Sequence, residues 1–260
     1  MGFNLLWRSI LENYFDEALQ LASSARREVY PNPRVGALVI KDERVLACGF
    51  HRKSGGAHAE VEALSACGEE AVGATLLVTL EPCSHHGRTP PCTDLILKRG
   101  IAKVVYGLND PNTQVAGGRI LRERGIDVEG PVYHPGLLSL IEPFAKILRL
   151  KRTYLTLKWA MTADGSVATE SGDSRWVSCE ESLRRVHELR SRVDGIMVGA
   201  GTMLADQPDL GIRYGIDYPP PRPVVFDPAG RSSAMNEWWE ERRSRRPLLV
   251  QLGKETGSFP

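Results

Sequence analysis

Two short segments carry the residue types of a catalytic metal site. His58-Ala-Glu60 sets an imidazole two residues before a carboxylate, and Pro82-Cys83 is followed, after eight residues, by Cys92. Zinc takes imidazole and thiolate ligands in a tetrahedron, and a catalytic zinc leaves one of the four positions to water. One histidine and two cysteines meet that requirement, so His58, Cys83 and Cys92 are the expected ligands. His58 and Cys92 each open a stretch with helical spacing, where the partial positive charge of the helix start favours a thiolate and nearby anions. Glu60 is the expected proton carrier, taking a proton from water and passing it to a leaving amine, as the non-ligand glutamate of zinc deaminases does. That signature ordinarily has two residues between its cysteines, so the eight here are a departure. A closed structural site with His85 or His86 as fourth ligand is the alternative reading.

These residues need elements to hold them. Apolar positions at helical spacing over residues 4–27 predict a first helix, stopped by Tyr30-Pro-Asn-Pro33. Val35–Ile40 and Val45–Phe50 read as a hairpin, His58–Cys67 as a helix and Thr75–Leu80 as a strand. A Pro/Gly-rich loop then leads to a helix at Cys92–Lys98, a strand at Ala102–Leu108 and a short helix at Gly118–Arg124. This alternation predicts a layered α/β domain whose sheet is largely parallel after the hairpin. A linker helix containing Pro143 ends near Arg152, placing a domain boundary near 145–153. The pattern restarts with a strand at Tyr154–Ala160, a helix at Glu180–Val193, and strands at Gly195–Gly199, Pro223–Phe226 and Pro247–Leu252. The expected domains are 1–148 and 149–260.

Composition narrows the function classes. With 42% hydrophobic and 25% charged residues, the 260-residue chain reads as soluble and globular. A net charge of +1 gives no broad attraction to nucleic acid or anionic membrane, so neither is an expected partner. No apolar run is long enough to span a bilayer. Met1–Ile10 reads as the start of an amphipathic helix, because Glu12, Asp16 and Glu17 follow at once. Five cysteines, with Cys48, Cys67 and Cys179 in apolar or helical surroundings, suit a reducing cytoplasm.

Asn32-Pro-Arg-Val-Gly36, His58-Ala-Glu60 and Thr79-Leu-Glu-Pro-Cys-Ser-His-His-Gly-Arg-Thr-Pro-Pro-Cys92 together resemble the bifunctional riboflavin-biosynthesis deaminase–reductase family. The long loop between the cysteines is typical of that family and separates it from cytidine and tRNA deaminases. The resemblance runs from about Tyr14 to Asp227. It implies a cytidine-deaminase-like three-layer domain and hydrolytic deamination of a phosphoribosylated diaminopyrimidinone with release of ammonia. It further implies that Asn32 and His51 contact the ring, His85 and Arg88 the ribose phosphate, and that Asp110 and Asn112 close the site. Read without the resemblance, Asn32 and Asp110-Pro-Asn112 shape turns, and Arg88 and His51 are solvated side chains. Arg88 suits phosphate because its fork donates several charge-assisted bonds. Glu81 is expected to support the loop through backbone bonds.

Lys158-Trp-Ala-Met-Thr-Ala-Asp-Gly165, Gly172-Asp-Ser-Arg-Trp176 and the 198–208 segment resemble the reductase half of the same family. That implies a dihydrofolate-reductase-like α/β domain using NADPH, with Ala160, Trp176, Thr202 and Asp206 at the cofactor and Ser174, Arg190, Leu210 and Arg213 at the substrate. Taken alone, Gly199-Ala-Gly201 is a weak phosphate-loop signal, Trp176 equally a core aromatic and Arg190 a solvated side chain. Family members continue through a further strand, a glutamate-bearing loop and a glycine-rich loop beyond the region matched here. The expectation is therefore a partial reductase-like half, with NADPH a cofactor only if that half functions. The competing readings are a zinc deaminase acting on another base, and a non-catalytic scaffold that keeps zinc for stability. A cytoplasmic homo-oligomer acting on a small phosphoribosylated pyrimidine is the expected whole.

Overall fold

Residues 2–87, 89–174 and 177–251 are described by the computed structural model, and the chain divides into a first unit, Met1–Thr156, and a second, Leu157–Pro260. The first unit opens with helix α1 (Gly2–Ser23), which ends four residues before its expected close; a 3-10 turn, Arg27–Val29, follows. Strands β1 (Gly36–Lys41) and β2 (Arg44–Phe50) pair antiparallel across a two-residue turn. Asp42 and Glu43 take φ of 49° and 58° there, the left-handed geometry that matches the twist of a hairpin. Helix α2 (Ala59–Cys67), strand β3 (Thr75–Leu80), helix α3 (Cys92–Lys98) and strand β4 (Lys103–Leu108) follow, all within a residue of their predicted bounds.

Helix α4 (Gly117–Glu123), strand β5 (Asp127–Glu129) and helix α5 (Leu137–Leu150) complete the unit. The sheet order is β2-β1-β3-β4-β5, antiparallel through β3 and parallel from β3 to β5. β1, β3 and β4 are buried along almost their whole length, as strands covered on both faces must be. α1 packs on β1 and β3 and against α5, while α2 packs on β1 and β2 and meets α3, which meets α4. The core therefore joins Phe15, Leu38, Leu64, Leu76, Leu77, Ile96 and Leu121 through the sheet. Gly49 lets α2 lie hard against β2: a Cβ there would stand 2.6 Å from both the Ala59 carbonyl oxygen and the Ala63 nitrogen. That contact fixes the start of α2, where His58 and Glu60 sit.

The second unit holds helix α6 (Glu180–Arg190), strand β6 (Gly195–Gly199), helix α7 (Ala200–Asp206), strand β7 (Arg222–Phe226), helix α8 (Asn236–Glu241) and strand β8 (Leu248–Val250). Its three strands run parallel in the order β6-β7-β8. Met203, Leu210, Val225, Trp238 and Trp239 form its core. The strand expected at Tyr154–Ala160 does not form; residues 151–160 have no regular structure, and Leu155, Leu157 and Trp159 are exposed. Alternating side chains supply only one half of a strand. The other half is a neighbour for the backbone N–H and C=O groups, and among the described residues none pairs with this segment.

Candidate active site

The ends of three elements bring the predicted ligands together. His58 is the N-cap of α2, with extended backbone (φ −73°, ψ 162°) and a carbonyl that accepts the Glu62 N–H at 3.0 Å. Cys92 is the first residue of α3 and is buried. Cys83 follows β3 after Glu81, whose N–H donates to the Leu108 carbonyl at 2.8 Å and so continues the β3–β4 pairing. The His58 Nδ1 lies 3.3 Å from the Cys92 Sγ and 3.5 Å from the Cys83 Sγ. The Cys92 N–H points at the Cys83 Sγ at 3.2 Å. All three donor atoms lie within 4.8 Å of one another. A zinc tetrahedron with ordinary Zn–N and Zn–S bonds has an N···S edge of about 3.6 Å, so the donor set fits that ion. Among the described residues no fourth donor joins this group, and His85 and His86 lie exposed in the loop.

Electrostatics prepare the thiols for a metal. A hydrogen bond from the Cys92 thiol holds the Cys83 thiol down, to about 4, with a smaller contribution from His58. The same bond, burial and the Glu60 carboxylate push Cys92 up. One thiolate is thus preformed, and the second proton is released only when a cation arrives. Glu60, in the first turn of α2, is 4% exposed. Burial raises its carboxyl above the usual range, and Cys83 adds to the rise. A carboxyl raised by burial and placed beside the ligand group is suited to take up and pass on a proton, which is what a general acid/base does.

His51 and Asn32 lie beside this centre. The His51 and His58 rings meet edge to face with centroids 5.4 Å apart. His51 Nδ1 is 2.8 Å from the Ala57 carbonyl oxygen, and its Nε2 is 3.0 Å from the Asn32 Nδ2. His51 is buried, which lowers its pKa.

The loop after β4 is tied to the strip that carries Cys83. Asp110 Oδ1 accepts the Asn112 N–H at 2.8 Å, and Asn112 Oδ1 accepts the Gln114 N–H at 3.1 Å. Glu81 Oε1 accepts the Gly118 N–H at 2.9 Å, and Ser84 Oγ accepts the Ala116 N–H at 3.0 Å. Gly117 lies so close that a Cβ would stand 1.9 Å from the Pro82 carbonyl oxygen. Asp110 is raised chiefly by burial and lies within the fields of Glu81, His85 and Cys83. Asp110 and Asn112 therefore reach the metal side of the unit, with exposed His85 in the same field. Arg88 lies outside the described residues. Sequence reasoning missed Ser84 as a support, and its only signal was position, one residue after a ligand.

In the second unit, three of the predicted substrate residues gather at one turn. Arg190 donates to the Gly211 carbonyl at 2.8 Å, Leu210 is buried with φ 55°, and the Arg213 N–H donates to His187 Nδ1 at 2.9 Å. His187 was not singled out from the sequence, although it precedes Arg190 by one helical turn. Burial, then Arg190 and Arg213, lower its pKa to about 4. Ser174 is exposed. Of the predicted cofactor residues, Trp176 lies outside the described residues, Ala160 belongs to the segment without regular structure, and Thr202 and Asp206 are exposed on α7. A Cβ on Gly199 or Gly201 would meet no protein atom within 4 Å, so packing against the protein does not require glycine at either position.

Two family models match the chain. Residues 8–108 match the cytidine and deoxycytidylate deaminase zinc-binding region, and residues 153–253 match the RibD C-terminal domain. The riboflavin biosynthesis protein RibD of Aquifex aeolicus is 43% identical over 223 residues, covering 85% of this chain and 63% of that protein. RibD of Escherichia coli is 42% identical over 205 residues, covering 78% of this chain and 56% of its own length. This chain thus spans less than two thirds of these relatives. A diaminohydroxyphosphoribosylaminopyrimidine deaminase/5-amino-6-(5-phosphoribosylamino)uracil reductase from Thermotoga maritima superposes with a TM-score of 0.84 at 38% identity, over 97% of this chain and 72% of that one. RibD from Acinetobacter baumannii superposes with a TM-score of 0.80 at 33% identity, over 95% and 75% respectively.

Proposed function

The chain belongs to the riboflavin-biosynthesis deaminase–reductase family, and from that premise we propose that its first unit hydrolyses the exocyclic amine of a phosphoribosylated diaminopyrimidinone, with zinc as cofactor. The observation that carries this reading is the convergence of His58, Cys83 and Cys92 beside the buried carboxyl of Glu60. His58, Cys83 and Cys92 hold the metal. Zinc, when bound, supplies the Lewis acidity that makes water a nucleophile at neutral pH. Glu60 takes the proton that this water loses as it adds to the ring carbon, then delivers it to the amine. The ring C–N bond breaks, ammonia leaves, and the added hydroxyl passes its remaining proton to the ring nitrogen, so that a carbonyl stands where the amine was. The raised Glu60 carboxyl suits both halves of this exchange.

Asn32 and His51, side by side near the ligand group, meet the pyrimidine ring. His85 and Arg88, in the loop between the cysteines, receive the ribose phosphate, and Asp110 with Asn112 closes the site from the loop after β4. In the second unit Arg190, Leu210 and Arg213 are the substrate residues of a reductase-like site, with Ser174 as a further member. Ala160, Trp176, Thr202 and Asp206 are the residues that would hold NADPH if this half functions. The protein acts as a cytoplasmic homo-oligomer on a small molecule, and its net charge of +1 gives no broad attraction to nucleic acid or an anionic membrane. Exposed Met197 and Phe226 on the second sheet support self-association.

The test is ammonia release by the zinc-loaded chain given the phosphoribosylated diaminopyrimidinone, with cytidine and deoxycytidylate as comparisons. Turnover of the first and not of the other two is expected. Preference for cytidine or deoxycytidylate would replace the substrate, and ammonia from none of the three would contradict the reading.

A further inference from the structure

The second unit holds a cavity of about 320 Å³ between the 209–212 turn and the end of α8, within the size range of small-molecule pockets. Ile212, Tyr218 and Pro220 give it an apolar side, while Asp209, Glu241, Arg242 and Arg245 bring charge to it. We infer that this cavity is a binding site for a small phosphate monoester that carries hydroxyl groups, with Arg242 and Arg245 holding the phosphate. Both guanidinium groups are fixed before any ligand arrives. Arg242 lies over the Trp238 indole, 4.5 Å from the ring centroid, and its Nη1 donates to the Trp238 carbonyl at 3.2 Å and to Glu241 Oε2 at 2.8 Å. Its Nε donates to the Asp209 carbonyl at 3.4 Å. Arg245 donates through Nη2 to the same carbonyl and, at 3.4 Å, to Asp209 Oδ1.

These bonds leave donors over, because a guanidinium carries five N–H groups. Nη2 of Arg242 has only a 4.0 Å ion contact with Asp209 Oδ1, and Nε and Nη1 of Arg245 have no protein partner among the described residues. The two side chains are nevertheless only 10% and 12% exposed. Burial and the neighbouring Arg242 lower the Arg245 pKa, and Asp209 offsets this in part while its Oδ2 accepts the Gly211 N–H at 3.1 Å. Two guanidinium forks facing one space suit a phosphate, whose three terminal oxygens can take both. A carboxylate has two oxygens, which a single fork fills. Asp209 and Glu241 line the same space with side chains 53% and 61% exposed. They disfavour a bare anion and accept hydroxyl protons, so the lining as a whole matches a phosphate joined to a polyhydroxy group.

Arginine Nε–H NMR of the full chain, titrated with glycerol 3-phosphate, tests this. The Arg242 and Arg245 signals are assigned by their loss from Arg242→Lys and Arg245→Lys. Both are expected to shift saturably with one equivalent bound, and inorganic phosphate and malate are expected to bind more weakly at the same two signals. Arg245→Gln, which keeps a donor for the Asp209 carbonyl but loses the charged fork, is expected to weaken glycerol 3-phosphate binding by about tenfold or more, read at Arg242. Signals from Arg242 and Arg245 that stay still, while arginines elsewhere shift, would overturn the inference. Inorganic phosphate binding as tightly as the ester would overturn its hydroxyl part, and malate binding more tightly would overturn its phosphate part. Wild-type affinity in a folded Arg245→Gln would remove Arg245 from the site; if that variant does not fold, the wild-type titration decides alone.

Discussion

Glu81 and Gly118, 37 residues apart, are joined by a 2.9 Å hydrogen bond from the Gly118 N–H to Glu81 Oε1. The bond ties the strip carrying Cys83 to the start of the helix that ends the 109–116 loop, so the metal side and the closing side of the site share one support. Glu81→Gln keeps an acceptor oxygen and is expected to behave almost as the wild type. Glu81→Ala is expected to cost about 1 kcal/mol and to raise KM more than it lowers kcat. Gly117→Ala, which drives a methyl into the Pro82 carbonyl, is expected to destabilise by about 1–3 kcal/mol. Denaturant midpoints and steady-state kinetics on the three variants check this.

Removing the metal is expected to loosen the whole first unit. Cys83→Ala should lose zinc and lower the melting temperature, and a chelator should do the same to the wild type. At metal concentrations a thousandfold above Kd, the stabilisation lost is about 4 kcal/mol. Elemental analysis with thermal melts reads both; unchanged zinc content in Cys83→Ala counts against that ligand.

The second unit should weaken in mild acid. The folded pKa of His187 is near 4 while the unfolded value is 6.5, so between these values the unfolded chain binds the extra proton. Stability is therefore complete above about pH 6.5 and falls as the pH drops toward 4, at about 1.4 kcal/mol per pH unit for one proton. Hydrogen exchange of the α6 amides across this window measures the slope, and His187→Gln is expected to flatten it.

NADPH is expected not to bind this chain measurably. This expectation is drawn from the exposure of Thr202 and Asp206 on α7. A fluorescence titration gives the answer, with saturable tight binding as the contrary result.

Much of the site was legible from the chain because its parts are local. His58 and Glu60 are two residues apart at a helix start, and Cys83 and Cys92 bound one loop, so spacing alone carried their chemistry. The strands β1, β3 and β4 announced themselves through continuous apolar runs, as a sheet covered on both faces requires. What escaped were relationships across sequence distance. Nothing in the residues predicts that Asn32 and His51, on either side of a hairpin, share a hydrogen bond, or that His187 receives the Arg213 N–H. β5 is three residues long with a single apolar member, Val128, too short for any periodicity. α8 is only six residues long, although its Trp238 and Trp239 anchor the second core. Residues 154–160 erred the other way, since their alternation promised a strand that no described neighbour completes.

The role of Glu60 is the claim on which the chemistry turns. Glu60→Gln keeps the shape and the hydrogen-bonding reach of the side chain but cannot carry the proton from water to amine. The decisive measurement is ammonia release by zinc-loaded Glu60→Gln beside the wild type, with zinc content determined on the same samples. Full zinc occupancy with turnover reduced by about 10²–10⁴-fold is the predicted result. Wild-type rates from the fully loaded variant would contradict it.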